Sequence, residues 1–210
     1  MGEEPVLDEA ARRRKRTCAY LSMWAVDADV TALPVLIESA ATVRKPLDVV
    51  GRAKAMCLCA LKGQGLSQRE VFAFADAYEV WDHLTLSEND FVLEPDPPHA
   101  DLVQHAWLSE GLWVLEWSLG LIRHLAFPDN SVDVAEATRV CIEGLCTPLN
   151  PPDPASLRPA KDLLDAADVA FAFEGISLVA RAQGVPLPGN IHPGIVFERH
   201  NAFAWLVRGG

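Results

Sequence analysis

A chain of 210 residues, half of them apolar and with a net charge of −11, is long enough to bury a sizeable core and too apolar to stay disordered. The negative charge disfavours nucleic acid, whose phosphates need a positive surface, and makes a protein with a basic surface the expected partner. Five cysteines are an odd number, and neither Cys57 with Cys59 nor Cys141 with Cys146 has a Cys-x-x-Cys spacing, so they read as reduced thiols rather than as a zinc site or a thioredoxin-like redox pair.

Residues 8 to about 25 predict a first helix with Ala11, Cys18, Leu21 and Ala25 inward. Arg12 to Arg16 is an unbroken basic run inside it. Five successive residues wrap more than one helical turn, so the run gives no flat cationic face and reads as a solvated, partly ion-paired helix start. Together with the apolar patch Thr17 to Val26 it imitates an export signal. The patch is short, however, and acidic residues flank it on both sides, which favours a cytoplasmic protein. Asp27 to Ala41 lacks a helical period, contains Leu33-Pro34 and reads as a connection. Pro46 opens a second helix that buries Val49, Val50, Ala53, Met56, Cys57, Ala60 and Leu61, and Gly63 and Gly65 end it. Ser67 with Glu70 three positions on is a capping box for a third, with Val71, Phe74, Tyr78 and Trp81 inward.

After the proline-rich Glu94 to His99 comes the longest apolar segment, His105 to Pro128, which predicts a single central helix. At 100° per residue, Leu108, Gly111, Leu112, Leu115, Leu119 and Ile122 share one face, with Trp113, Trp117 and Leu121 nearly opposite. His105, Ser109, Glu116 and Arg123 form a narrow polar stripe, expected to touch water along one edge. Glu110, Glu116, Arg123 and His124 would each be costly in lipid, so the segment is not read as spanning a membrane. Ser131 is the expected cap of a shorter helix reaching about Cys146, with Val134, Thr138, Cys141, Ile142 and Leu145 inward. Residues 147–154, TPLNPPDP, are a flexible loop or a subdomain boundary. Leu157 to Gln183 is a second two-sided helix, with Leu164, Ala167, Phe171 and Leu178 on one face and Val169, Phe173, Ile176 and Ala180 on the other. Pro193 opens the last helix, which ends before Gly209. No stretch shows a strand period. The pattern predicts one mostly α domain over 1–210, a bundle of six or seven helices around two central two-sided ones.

The informative residues are charged groups that the helical period forces inward. Glu110 falls on the face of Trp113 and Trp117, Glu174 among Ala167, Ala170, Phe171 and Leu178, and Arg199 within the stripe Ile195, Ala202, Phe203 and Leu206. Glu198 shares an edge with Trp205. An isolated buried charge is strongly unfavourable, so Arg199 is expected to pair with Glu110, Glu174 or both as a structural ion pair. The same four residues, Glu110, Glu174, Glu198 and Arg199, are the candidates for acid-base work or for a hard cation. Asp162, Asp165 and Asp168, spaced by three, read as the solvated edge of their helix rather than as a metal row. No HExxH, GxSxG, GxGxxG or Walker pattern occurs, and the six histidines lack ligand spacing, so neither a metal nor a cofactor is expected.

Three segments, WLSEGLWVLEWSLG (107 to 120), LLDAADVAFAF (163 to 173) and IVFERHNAFAWL (195 to 206), resemble the landmark segments of a bacterial family catalogued as domain of unknown function family 4272. Fainter matches at VRKPLDVVGRAKAM (43 to 56) and LSQREVFAF (66 to 74) extend the resemblance over most of the chain, and ERHNAFAWL is its most specific piece. The resemblance implies a mostly helical, cytoplasmic bacterial protein with no established activity, and it carries over Glu110, Asp165, Asp168, Glu198 and Arg199 as site candidates. Two departures matter. Leu108 stands where the family often has an arginine, and Ala172 and Gly175 stand where it often has an arginine and a tryptophan, so a polar site common to the family would be incomplete here. The expected function is a non-enzymatic protein-binding module of accessory or immunity type. The alternative is an enzyme or metal-dependent binder built on the carboxylate and arginine cluster.

Overall fold

The computed structural model describes residues 8–26, 28–31, 33–36, 41–146 and 156–207. Its helices are α1 (Glu9–Met23), α2 (Pro46–Gly63), α3 (Gln68–Ala77), α4 (Leu86–Leu93), α5 (His99–Ala106), α6 (Leu108–Ser118), α7 (Val134–Leu145), α8 (Ala160–Gln183) and α9 (Pro193–Val207), with 3₁₀ turns at Trp81–His83 and Pro188–Asn190. The fold is mostly α, as the sequence predicts. The proline-rich break expected at 147–154 lies outside the described residues. Among the described residues no helix is long and apolar enough to cross a membrane.

Proline at the first position and glycine at the last bound α2 where the sequence places them. This helix buries more of its circumference than the inward stripe predicted for it. Ala55, Leu58 and Cys59 face α3 and α4, while Val49, Ala53, Met56 and Cys57 face α6 and α7. The α6 helix packs on α2, α7 and α9, and α8 packs on α1 and α9. Leu112, Leu115, Leu163, Phe203 and Leu206 meet in the main core, and Leu21, Phe127, Phe173 and Val196 close a second core under α1. Each such side chain contributes ~2 kcal/mol by leaving water.

The single helix expected over His105 to Pro128 is instead two helices and a loop. The chain turns at Trp107 between α5 and α6, and α6 stops at Ser118. Gly120 takes a left-handed φ of +77°, the Leu121 N–H reaches back to the Glu116 carbonyl at 2.9 Å, and the Gly120 N–H to that of Trp117 at 3.0 Å. Arg158 completes the stop from far along the chain: its backbone N–H donates to Ser118 O at 2.8 Å and its Nε to Trp117 O at 2.7 Å, with the guanidinium over the Trp117 ring. Leu121 and Leu125 then pack on the core from a loop. The polar stripe does not touch water as expected either. His105, Ser109 and Glu116 are buried, and only Arg123 is exposed.

Smaller differences have local causes. Asp133, not Ser131, caps α7, its carboxylate accepting the Ala135 N–H at 2.9 Å. Ala137 is buried there and Ile142 is exposed. Leu178, near the far end of α8, is also exposed. The helix α4 was not foreseen, yet it carries a capping box like that of α3. Glu88 N–H donates to Thr85 Oγ1 at 3.3 Å and Thr85 N–H to Glu88 Oε2 at 2.8 Å.

Candidate functional site

The aspartate row of α8 faces the basic run of α1, so two expectations fall together. Arg13 and Arg14 are buried rather than solvated, and Asp168 is buried with them, while Asp165 is half-buried and Asp162 exposed. Arg13 Nε donates to Asp165 at 3.0 Å, and Arg16 and Lys161 reach the same carboxylate at 2.8 and 3.0 Å. Arg14 binds Asp168 at 3.3 Å and the carbonyls of Val30, Leu33 and Pro34, and the Thr17 hydroxyl donates to Asp168 at 2.6 Å. Burial pushes the Asp165 carboxyl up, but the bonds from Arg16 and Lys161 outweigh it and hold the group below the usual range. The inward stripe of α1 is therefore Arg13, Arg14, Thr17 and Leu21, with Ala11 and Cys18 half-buried and Ala25 exposed. These aspartates serve as the anchor of α1.

The predicted clamp joins Glu110 to Arg199. Glu110 Oε2 accepts from Arg199 Nε and Nη2, each at 3.0 Å, and Oε1 accepts the Val132 N–H at 2.6 Å. Arg199 Nη1 donates to the Ala126 carbonyl at 2.6 Å. One ion pair thus fastens α6, α9 and the loop between α6 and α7. Glu174 is half-buried on α8 and takes no part in it.

Of the cavities beside α9, two lie on opposite faces of it. The larger, about 360 Å³, lies between α1, α8, α9 and the 124–128 loop. Tyr20, Trp117, Val169, Phe173, Val196 and Phe203 form its apolar walls, and Arg16, Thr17, His124, Asp165 and Arg199 are the polar residues of its lining. Burial pushes the Tyr20 phenol up, with the Trp24 hydrogen bond and the Arg199 charge opposing. A guanidinium has five N–H donors, and three of those on Arg199 are used in the clamp, which leaves two.

The smaller cavity, about 190 Å³, holds Glu198 with Arg52, Thr85, Asn201 and Trp205. Arg52 is committed to Glu88 by two bonds, of 2.5 and 2.6 Å. Burial, then the charges of Glu110 and Glu88, push the Glu198 carboxyl up to about 7, and Arg52 opposes.

Sequence reading missed one titratable group of interest, Glu116. It is fully buried beside the thiols of α2 and α7, and neither carboxyl oxygen has a hydrogen-bond partner among the described residues. Burial, helped by the Glu136 charge, pushes it up to about 9, while the Cys141 backbone N–H lies nearby outside hydrogen-bond geometry and opposes too weakly. Its place on a polar stripe suggested water, and only the packing of α7 over that stripe removes it. All five cysteines are free thiols. No group of three or more His, Cys, Asp or Glu side chains able to hold a metal occurs among the described residues.

No curated protein and no solved structure matches the chain. The model of the family described as Domain of unknown function (DUF4272) matches residues 13–210, nearly the whole length. The chain belongs to the DUF4272 family.

Proposed function

We propose that this protein is a binding module whose ligand is a small, largely apolar molecule with one hydrogen-bond acceptor, held in the cavity between α1, α8 and α9. The observation that carries this reading is the pairing of apolar walls with Arg199, which keeps two N–H donors outside the clamp, around a space of about 360 Å³. The walls supply affinity at ~25 cal/mol per Å² of apolar surface covered, and the guanidinium supplies orientation. Because Glu110 already neutralises Arg199, the acceptor needs no full charge. A module of accessory or immunity type with a basic protein partner remains compatible, and a net charge of −11 supports it by favouring association with such a surface. An enzymatic role has one observation in its favour, a Glu198 carboxyl raised to about 7, in the range suited to acid-base work at neutral pH.

Fluorescence titration with 8-anilinonaphthalene-1-sulfonate, an apolar probe with acceptor oxygens, tests the cavity. Saturable one-to-one binding is expected. Val169→Trp, which fills the cavity from α8, should weaken it at least ~10-fold, a loss of about 1.4 kcal/mol, with the thermal melt unchanged. Equal binding by the variant, or no saturable binding by the parent, overturns the reading.

A further inference from the structure

We propose that the pocket around Glu198 is a second binding site, one that takes a primary alkylammonium group. It lies on the face of α9 opposite the larger cavity and shares no lining residue with it, so it stands or falls separately.

Three observations point to a cation of this shape. The Glu198 carboxyl has no ion pair or hydrogen bond among the described residues, although it is largely withdrawn from water. The cation in the pocket wall, Arg52, is held on Glu88 through both terminal nitrogens and on the His83 carbonyl at 3.3 Å, and it makes no ion pair with Glu198. The charges that act on Glu198 from the neighbouring helices are Glu110 on α6, itself paired with Arg199, and Glu88 on α4, itself paired with Arg52 on α2, and the two carboxylates raise Glu198 more than Arg52 lowers it. An anion would therefore be repelled, and a cation would supply the missing partner.

The pocket also fits the rest of such a ligand. An ammonium has three N–H donors, and the Glu198 carboxylate, the Thr85 hydroxyl and the Asn201 side chain are three acceptors in the lining. Met56, Leu108 and Leu115 supply apolar lining for a methylene stem, and the Trp205 ring, which already carries Arg44 at 4.6 Å, offers cation–π attraction. A cavity of ~150 Å³ accommodates a benzene, so 190 Å³ suits a stem of a few methylenes and excludes a sugar or a nucleotide. A free small amine and a lysine side chain presented by a protein share this chemistry.

Binding requires the ionised carboxylate. Burial raises the empty-pocket carboxyl to about 7, so affinity is expected to level off above that pH and to fall ~10-fold per unit below it. The test is an NMR titration of the full chain at pH 8 and pH 6, following the Asn201 amide and the Trp205 indole. The probes are n-butylammonium for the free amine, Nα-acetyl-lysine N-methylamide for the presented side chain, and n-butanol as the neutral isostere. Saturable shifts with either cation at pH 8, at least ~10-fold weaker at pH 6 and in Glu198→Gln, are expected, with none from butanol. Response to butylammonium alone assigns a free amine, and response to the blocked lysine alone assigns a presented lysine. Failure of both cations to saturate at pH 8, equal binding at pH 6, or equal binding by butanol overturns the proposal. The two-pH comparison on the parent chain decides the matter even where Glu198→Gln does not fold.

Discussion

Glu110 and Glu116 stand six residues apart on α6, and each is 0% exposed, yet they meet opposite surroundings. Glu110 points to α9 and the following loop, where an arginine and a backbone N–H take both of its oxygens. Glu116 lies against α7 near the Cys141 thiol, where neither of its oxygens finds a hydrogen-bond partner among the described residues, and it stays protonated to about pH 9. Burial alone therefore does not decide whether a carboxyl in this core is charged. The partner decides, and only the paired group does structural work.

The largest effect is expected from removing the partner of Glu110. Arg199→Leu leaves a buried carboxylate without its cation and should cost about 3 to 5 kcal/mol in denaturant unfolding, with most of that loss recovered when Glu110→Leu is added. A single variant that unfolds like the parent would show that the clamp contributes nothing. Glu116 sharpens the other half of the comparison. Its folded value, about 9, lies above the unfolded one, so the stability it contributes is full below about pH 4.5 and is lost as pH rises towards 9. Between pH 5 and pH 8.5 the parent should lose about 4 kcal/mol relative to Glu116→Gln, read from unfolding curves at both values. Parallel pH profiles for the two chains would contradict a protonated Glu116.

Arg158 tests whether the end of α6, which aims both carboxyls, depends on a distant cap. Arg158→Ala releases the carbonyls of Trp117 and Ile122 and should cost about 1 to 2 kcal/mol, with faster amide exchange at Leu119 to Leu121. An unchanged exchange pattern would leave Gly120 as the sufficient cause of the stop. Ser67→Ala, at a cap remote from both glutamates, should cost about 1 kcal/mol and leave the pH profile of Glu116 unaltered.

The parts legible in the sequence are those with a local cause. Pro46 and Gly63 bound α2, Pro193 opens α9, and Ser67 with Glu70 caps α3, because each signal and its effect lie within one turn. Arg199 and Glu110 were also legible as inward charges, since helical period put both inside, but the period offered Glu174 as a partner equally, and only the packing of α6 on α9 selects Glu110. The end of α6 was not, because Leu121, Ile122 and Leu125 prolong the apolar period past Gly120, and Arg158 comes from 38 residues beyond that glycine. Arg13 and Arg14 were misjudged for a similar reason: the sequence displays the basic run and the aspartate row, but only the docking of α1 on α8 matches them. Thr85 and Glu88 repeat the signal of Ser67 and Glu70, and α4 was missed because eight residues are too few to establish a period.

The most direct test is a pH titration of the carboxyl ¹³C signals of the glutamates from pH 4 to 10, with Glu116→Gln and Glu198→Gln to assign the two resonances. One signal, absent from the first variant, should titrate near 9, and another, absent from the second, near 7. If both titrate in the ordinary carboxylate range of about 4 to 5, the environment of these groups is not what the fold implies, and the account of paired and unpaired charges fails with it.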